Sequence, residues 1–191
     1  MDFTAAAHRY WSHRSFKAKL PLRIILLLCH LTAVQVNTQL CWVRDHRIHH
    51  KYVDTDADPY NSNRGFFFFH VGWLMVKKHP EVIKKDQQIY ISDIKADSLV
   101  ICLLIMPDNK PHLANNLMRL KEIIVAIYLN DRHIKPTNNV MVSIVSFGEG
   151  SHNYHHMFPW DYKASEFGTH TYNFPAMFID FFAKIGWTYD L

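Results

Sequence analysis

The stretch Arg44-Asp45-His46-Arg47-Ile48-His49-His50-Lys51 contains three histidines within five positions. If the stretch is helical, residues three and four positions apart lie on one face, so its three imidazoles project to the same side. That arrangement is typical of a metal site. The same H-x-x-H-H spacing returns at His152 to His156. Such a repetition by chance is improbable even in a chain with 14 histidines, so the two boxes indicate metal binding.

A third, looser pair of histidines, His8 and His13, stands near the start of the chain. An α-helix turns by about 100° per residue, so positions i and i+5 lie roughly 140° apart around its axis. We therefore expect this pair to flank a broad site rather than to chelate one ion tightly. Together the three boxes offer more imidazoles than one tetrahedral site needs. They suit two metal ions of a kind that imidazole binds well, such as zinc, copper or iron.

The other histidines and the cysteines carry no comparable pattern. The boxes contain no Glu-x-x-His pair of the kind that soluble di-iron bundles use, so the site would be dominated by histidine. Three widely spaced cysteines without a C-x-x-C pair predict neither a disulfide framework nor a thiolate metal site. The remaining histidines are interpreted as ordinary core or surface residues: His30, His70, His79, His112, His133 and His170.

Length and charge limit the other possibilities. The 191 residues suffice for one domain with a core, and two domains would be crowded. The formal net charge of +4 is compatible with a membrane surface or an anionic cofactor. It is too small to indicate nucleic acid, and no Lys/Arg run or RNA-binding motif supports such a partner. We expect no secretory signal, and no run of about 18 apolar residues predicts a spanning helix.

Three further segments carry structural predictions. Leu22 to Val36 is predicted to be a helix that follows a basic stretch, and it suits either a membrane interface or the core of a soluble bundle. Tyr52 to Asn63 is predicted to be a loop. Its alternating acidic residues lack the glycine and final glutamate of a calcium loop, which favours a solvated turn. Pro175 to Ile185 is predicted to be a helix.

Several segments together resemble one family, the membrane acyl-CoA desaturases, and among them the insect-type Δ9, stearoyl-CoA-like enzymes. The resemblance covers residues 1 to about 98 and 130–191, with all three histidine boxes in order. HRYWSH, WVRDHRIHHKY and GEGSHNYHHMFPWDY are its most specific motifs. The segments that carry the resemblance are residues 8–23, 42–52, 54–59, 64–73, 78–82 and 148–162.

The resemblance implies a mainly α fold, namely a membrane-associated helical histidine-box desaturase fold that is incomplete here. It implies one partial desaturase domain over residues 1–191. Residues 1–98 would hold the first and second boxes, residues 99–129 would be a divergent or deleted region, and residues 130–191 would hold the third box and the C-terminal segment. The family's N-terminal and central spanning helices would be missing.

The function that the resemblance implies is O2-dependent insertion of a cis double bond, at the Δ9 position, into a saturated fatty acyl-CoA in unsaturated fatty acid biosynthesis. Two iron ions would form a di-iron centre, and cytochrome b5 would donate electrons. The enzyme would lie in the lipid of the endoplasmic reticulum membrane with its metals facing the cytosol. By the same resemblance the iron ligands are His8, His13, His46, His49, His50, His152, His155 and His156.

Three cations match family positions that meet the acyl-CoA head group, where positive charge suits phosphates. They are Arg44, Lys77 and Lys78. Without the family, the two lysines are nearly as well explained as the solvated basic end of an apolar segment.

One ligand of the family pattern is missing. The family has an Asn-x-x-x-His motif after its central helices, whereas neither Asn116 nor Asn130 is followed four residues later by histidine. His133 falls in what resembles the loop after that motif. We therefore expect the 191-residue chain as written to be inactive. Two alternatives stay open: a histidine-box hydroxylase of fatty acids or sterols, and a non-catalytic metal-binding remnant of a desaturase.

Overall fold

A computed structural model of the chain describes residues 3–32, 39–70, 72–105, 151–164 and 173–191. These ranges are mainly helical, which confirms the mainly α prediction. The chain divides into two compact units: unit 1 comprises residues 1–33 and 136–191, and unit 2 comprises residues 34–135. The single desaturase domain expected over residues 1–191 stays a prediction. No helix among the described residues has both the length and the apolar character that crossing a membrane requires.

The predicted helices recur in the structure with small shifts at their ends. Leu22 to Val36 corresponds to α1 up to Thr32, and its last residues lie outside the described ranges. The predicted helix Pro175 to Ile185 is α8, displaced by one residue. In chain order the described elements are the π-helix Phe3–His13, β1 (Lys17–Ala18), α1 (Leu20–Thr32), α2 (Gln39–Tyr52), a first 3₁₀ helix (Ser62–Arg64), α3 (Phe66–His70), a second 3₁₀ helix (Gly72–Met75), α4 (Pro80–Asp86), α5 (Ser92–Lys95), α6 (Ser98–Ile105), α7 (His152–Met157), α8 (Phe174–Lys184) and β2 (Thr188–Tyr189).

Unit 1 is built around the π-helix, against which both α1 and α8 pack. The alanines Ala5 to Ala7 are buried, and their small side chains allow neighbouring helices to approach closely. Trp11 on the same helix and Leu22 on α1 are completely buried and fill the space between the elements. Two short strands, β1 and β2, pair antiparallel and join the two ends of this unit, with Lys17 opposite Tyr189.

The end of α8 explains how β2 reaches β1. The Gly186 N–H donates to the Ala183 carbonyl at 2.9 Å and the Trp187 N–H donates to the Phe182 carbonyl at 2.8 Å. This pair of bonds is a Schellman motif, in which Gly186 adopts the left-handed conformation with φ of 72°. The Trp187 ring stacks on Phe182 with ring centroids 5.5 Å apart, the apolar contact that accompanies such a cap. The chain therefore reverses immediately after the helix.

Unit 2 is organised around α2, which packs against α4. Val43 and Ile48 on α2, Val82 on α4 and Ile94 on α5 are buried and form its apolar centre. The Arg47 guanidinium joins α2 to α5 through two hydrogen bonds of 2.8 Å to the Asp93 carboxylate. These contacts fix the helix that carries the second histidine box.

Several expectations fall on residues that the structure does not describe. The region 99–129 is described only as far as residue 105, and the third-box segment is described from residue 151 onward, with a gap at 165–172. The expected ninth-ligand region therefore lies outside the described residues. So do His112, Asn116, Asn130, His133 and His170.

Candidate metal centre

His8 and His13 lie on one face of the π-helix Phe3–His13. A π-helix closes its hydrogen bonds between residues i and i+5, so positions five apart are stacked along its surface. The two ring centroids are 4.9 Å apart. The expectation that this pair only flanks a broad site is wrong, because it assumed the narrower turn of an α-helix. The Ser12 hydroxyl supports the wider turn by donating to the Ala7 carbonyl, five residues back, at 2.8 Å.

The third box adds a histidine to this pair. His155, on α7, places its Nε2 atom 2.9 Å from His8 Nε2 and 3.1 Å from His13 Nε2. His8 and His155 are buried, and His13 is half-buried. We call these three residues the unit 1 cluster. It brings both predicted ligands of the first box together with one predicted ligand of the third box.

Two bonds hold α7 in place although the helix has only six residues. The Tyr154 hydroxyl donates to the Asp161 carboxylate at 2.9 Å, and the Phe158 N–H donates to the Tyr154 carbonyl at 2.9 Å. His156 has its ring centroid 6.0 Å from that of His155. His152 begins the helix, and its side chain lies outside the described part of the chain.

The unit 1 cluster has the donor spacing that one metal ion requires. Imidazole nitrogens bind such ions at about 2.0–2.1 Å, so two nitrogens at 90–110° to each other around one ion lie roughly 3 Å apart. The distances of 2.9 and 3.1 Å from His155 Nε2 match this value. The possible ligand atoms of all three residues lie within 4.8 Å of one another. A set of neutral nitrogen donors suits iron, zinc, copper or nickel.

The second box forms a cluster in unit 2, on α2. The ring centroids of His46 and His50 are 4.6 Å apart, and those of His49 and His50 are 5.8 Å apart. The prediction that this box is helical and shares one face is confirmed. The Trp42 ring stacks on His46 at 4.7 Å with an interplanar angle of 10°, which fixes the plane of that imidazole. We call His46, His49 and His50 the unit 2 cluster.

The acidic loop after α2 contributes a residue that the sequence did not single out. Asp58 is buried, and both of its carboxylate oxygens lie 2.9 Å from His49 Nδ1. The loop was predicted correctly, but its interpretation as a solvated turn is wrong for residues 57–61, all of which are buried. A metal-ligating histidine commonly donates its second ring N–H to a carboxylate, so a nearby aspartate could have been expected to contact the second box. Spacing alone could not choose Asp58 over Asp54 and Asp56.

The three cations expected to bind a head group have different surroundings. Arg44 Nε lies 2.9 Å from an Asp86 oxygen, and Lys78 Nζ lies 2.6 Å from an Asp45 oxygen. Burial raises the pKa of Asp45, while Lys78 and Arg44 oppose that rise. Lys77 is exposed. Lys77 and Lys78 line one cavity of about 120 Å³, and Arg44 is not among the residues that line it.

Comparison with known proteins gives matches over nearly the whole chain, although no family model matches it. An acyl-CoA Delta(11) desaturase of Choristoneura rosaceana is 44% identical over 100% of this chain and 67% of the relative. An acyl-CoA Delta-9 desaturase of Acheta domesticus is 44% identical over 100% of this chain and 63% of the relative. A stearoyl-CoA desaturase of Homo sapiens is 42% identical over 100% of this chain and 62% of the relative.

The chain thus spans between 62% and 67% of the length of these relatives. The alignment with the Acheta domesticus protein runs over 226 positions and includes the whole of the 191-residue chain. The difference between 226 and 191 leaves 35 aligned positions at which this chain has no residue.

Proposed function

Because the chain belongs to the acyl-CoA desaturase family, we propose that it serves the O2-dependent insertion of a cis double bond into a saturated fatty acyl-CoA. The observation that carries this proposal is the spacing of the unit 1 cluster. Nitrogens of two histidine boxes lie 2.9 and 3.1 Å apart although the boxes are distant in sequence. Such spacing favours a shared metal ion over independent core histidines.

The proposed metal ligands are the eight histidines of the three boxes, which would hold two iron ions. Iron, when bound, would supply the activation of oxygen that removal of two hydrogens from an unactivated chain requires. The protein's own part is to hold nitrogen donors and to exclude water, and the burial of His8 and His155 suits both tasks. The ligands assigned by family are His8, His13, His46, His49, His50, His152, His155 and His156.

The proposed substrate site uses the cations of unit 2. Lys77 and Lys78 line the same cavity, where their charges would attract the phosphates of an acyl-CoA head group. Arg44 would join them from α2, although its contact with Asp86 must then be shared with the ligand. The position of the double bond is proposed to be Δ9. Relatives of both Delta-9 and Delta(11) type resemble the chain to a similar extent, so the product must decide.

The proposed setting is the lipid of the endoplasmic reticulum membrane, with cytochrome b5 as electron donor and the metals facing the cytosol. The fold would be the family's histidine-box fold without some of its spanning helices. α1 supports a lipid contact, since Leu20, Ile24 and Leu28 lie on one side of the helix and are 41–56% exposed. An exposed apolar stripe on a helix, together with basic residues near its start in sequence (positions 14–23), is typical of an interfacial helix.

A second candidate function is a metal-binding desaturase remnant without catalysis. The 35 aligned positions that the chain lacks favour it, as does the missing Asn-x-x-x-His motif. The remnant would keep the histidine clusters and bind metal, yet it would form no product. Metal content and product formation therefore separate the two candidates.

The test measures both quantities on the full chain expressed in microsomes. Iron per chain is determined for the wild type, His46→Ala, His155→Ala and the control His79→Asn. His79 is exposed and caps α4, and asparagine retains that capping ability. We expect iron in the wild type and the control, and a loss of at least half in the two other variants. Absence of iron from the wild type would refute both candidates.

Products are measured by gas chromatography of fatty acids after incubation with stearoyl-CoA, NADH and cytochrome b5. Mass spectrometry then locates the double bond. An oleoyl product that His155→Ala abolishes supports the desaturase with Δ9 selectivity. Iron binding without any product supports the remnant instead.

A further inference from the structure

Both oxygens of the Asp58 carboxylate make polar contacts inside the protein. Its side chain is completely buried. Both oxygens lie 2.9 Å from His49 Nδ1, the Tyr60 N–H donates to Oδ1 at 2.9 Å, and the Asp54 N–H donates to Oδ2 at 2.9 Å. An ionised carboxylate only accepts hydrogen bonds, so the imidazole nitrogen that faces it must carry a proton. The chain thus places a buried carboxylate against one defined atom of a histidine in the unit 2 cluster.

We propose that Asp58 is a positioning residue that holds His49 as its Nδ1–H tautomer, which leaves Nε2 as the nitrogen that binds metal. A ligating histidine commonly donates its second N–H to a carboxylate, which fixes the ring and raises the basicity of the ligating nitrogen. The inference rests on the proposed function, because it takes His49 to be a ligand. It goes further by assigning a role to a residue outside the three boxes.

Packing restricts the His49 ring as well. The Tyr60 ring centroid lies 4.9 Å and the Phe69 ring centroid 6.2 Å from that of His49. Burial raises the pKa of Tyr60 well above its usual value, so its phenol stays neutral beside the imidazole. With aromatic rings against it and Asp58 at its Nδ1 edge, the imidazole is held in one orientation.

Asp54 provides a matched comparison in the same loop. Its carboxylate accepts from the Ser62 N–H at 3.2 Å and from the Ser62 hydroxyl at 2.5 Å, so it also shapes the loop. No hydrogen bond of this carboxylate to a histidine is found among the described residues. Changing Asp54 therefore disturbs the loop alone, whereas changing Asp58 disturbs the loop and the His49 bond.

The first experiment titrates the purified full chain with Co²⁺ and follows the visible absorption of the bound ion. We expect Asp58→Asn to weaken Co²⁺ binding by 10- to 100-fold, the usual effect of losing such a partner. Asp54→Asn should change the affinity by less than threefold, with unchanged circular dichroism in both variants. Equal losses in the two variants, or no loss in Asp58→Asn, would overturn the proposal.

A second experiment needs no variant and no metal. The nitrogen chemical shifts of ¹⁵N-histidine in the metal-free wild type report which ring nitrogen of His49 carries the proton. We expect the Nδ1–H tautomer, and an Nε2–H tautomer would overturn the inference. If the wild type binds no Co²⁺, the proposed function fails, whereas the tautomer still decides whether Asp58 fixes His49.

Discussion

His8 and His13 are separated by five positions, and their ring centroids lie 4.9 Å apart because residues 3–13 form a π-helix. π-helical turns are rare and frequently occur at functional sites. In this chain the wide turn has a direct chemical consequence. In an α-helix, residues five positions apart point to different sides of the axis. In the π-helix, the Nε2 atoms of His8 and His13 both lie close to His155 Nε2.

Moving one histidine by a single position tests this helix. The double change Ser12→His with His13→Ser moves the second imidazole by one position around the helix, away from the place where His13 Nε2 lies 3.1 Å from His155 Nε2. We expect at least a tenfold loss of Co²⁺ affinity. Ser12→Ala is the control, since it removes the same hydroxyl bond to Ala7 and leaves His13 in place. Unchanged affinity in the double variant would show that the π-helical turn does not position the pair.

The sequence predicted those parts of the site that follow α-helical periodicity. The second box was placed correctly on one face of a helix, and α8 was predicted to within one residue at each end. In both cases local spacing and the bonds of the helix itself determine the geometry. The π-helix could not be foreseen in this way, because its residues are also compatible with an α-helix.

Contacts between residues that are distant in sequence could not be predicted from local sequence patterns. His8 and His155 are 147 positions apart, and only the packed unit brings their Nε2 atoms to 2.9 Å. The contact of Asp58 with His49 was not predicted for a related reason. Three aspartates alternate in its loop, and the one that turns inward is chosen by the position of His49 rather than by any sequence pattern. Composition and spacing thus identified the type of ligand, whereas the partners of the ligands required the fold.

The ion pair between Lys78 and Asp45 should stabilise unit 2. Asp45 is buried, and its carboxylate lies 2.5 and 2.6 Å from Lys78 Nζ. Lys78→Met leaves the buried anion without this partner, so we expect the free energy of unfolding at pH 7 to fall by about 2 kcal/mol. Chemical denaturation measures the change. The control Lys84→Met breaks an exposed 3.5 Å pair with Glu81 and should cost less than about 0.5 kcal/mol. Equal effects of both changes would contradict a special role for Lys78.

Arg47 should hold α2 against α5 in a way that lysine cannot reproduce. Its guanidinium makes two bonds of 2.8 Å to the Asp93 carboxylate and one of 2.7 Å to the Tyr90 carbonyl. Because lysine cannot form this forked contact, we expect Arg47→Lys to destabilise the fold by about 1–2 kcal/mol. A double-mutant cycle with Asp93→Asn should give a coupling energy above about 1 kcal/mol. A coupling near zero would mean that solvent competes successfully for this pair.

His30 is completely buried on α1. Neither of its ring nitrogens has a hydrogen-bond partner within the described ranges. Burial lowers the pKa of His30 from 6.5 to about 4. Between these two values the unfolded chain binds a proton that the folded chain does not. Proton linkage at His30 therefore costs no stability above pH 6.5, and it progressively destabilises the fold as the pH falls toward 4.

Replacement of His30 by leucine should remove this dependence. Lowering the pH from 7 to 5 should cost the wild type roughly 2 kcal/mol more than it costs His30→Leu, at about 1.4 kcal/mol per pKa unit. Denaturation curves of both proteins at the two pH values measure the difference, and other titrating groups cancel between them. At pH 7 the variant should be at least as stable, since it buries no unpaired polar atom. Parallel loss of stability in both proteins would show that His30 becomes protonated without cost in the folded chain.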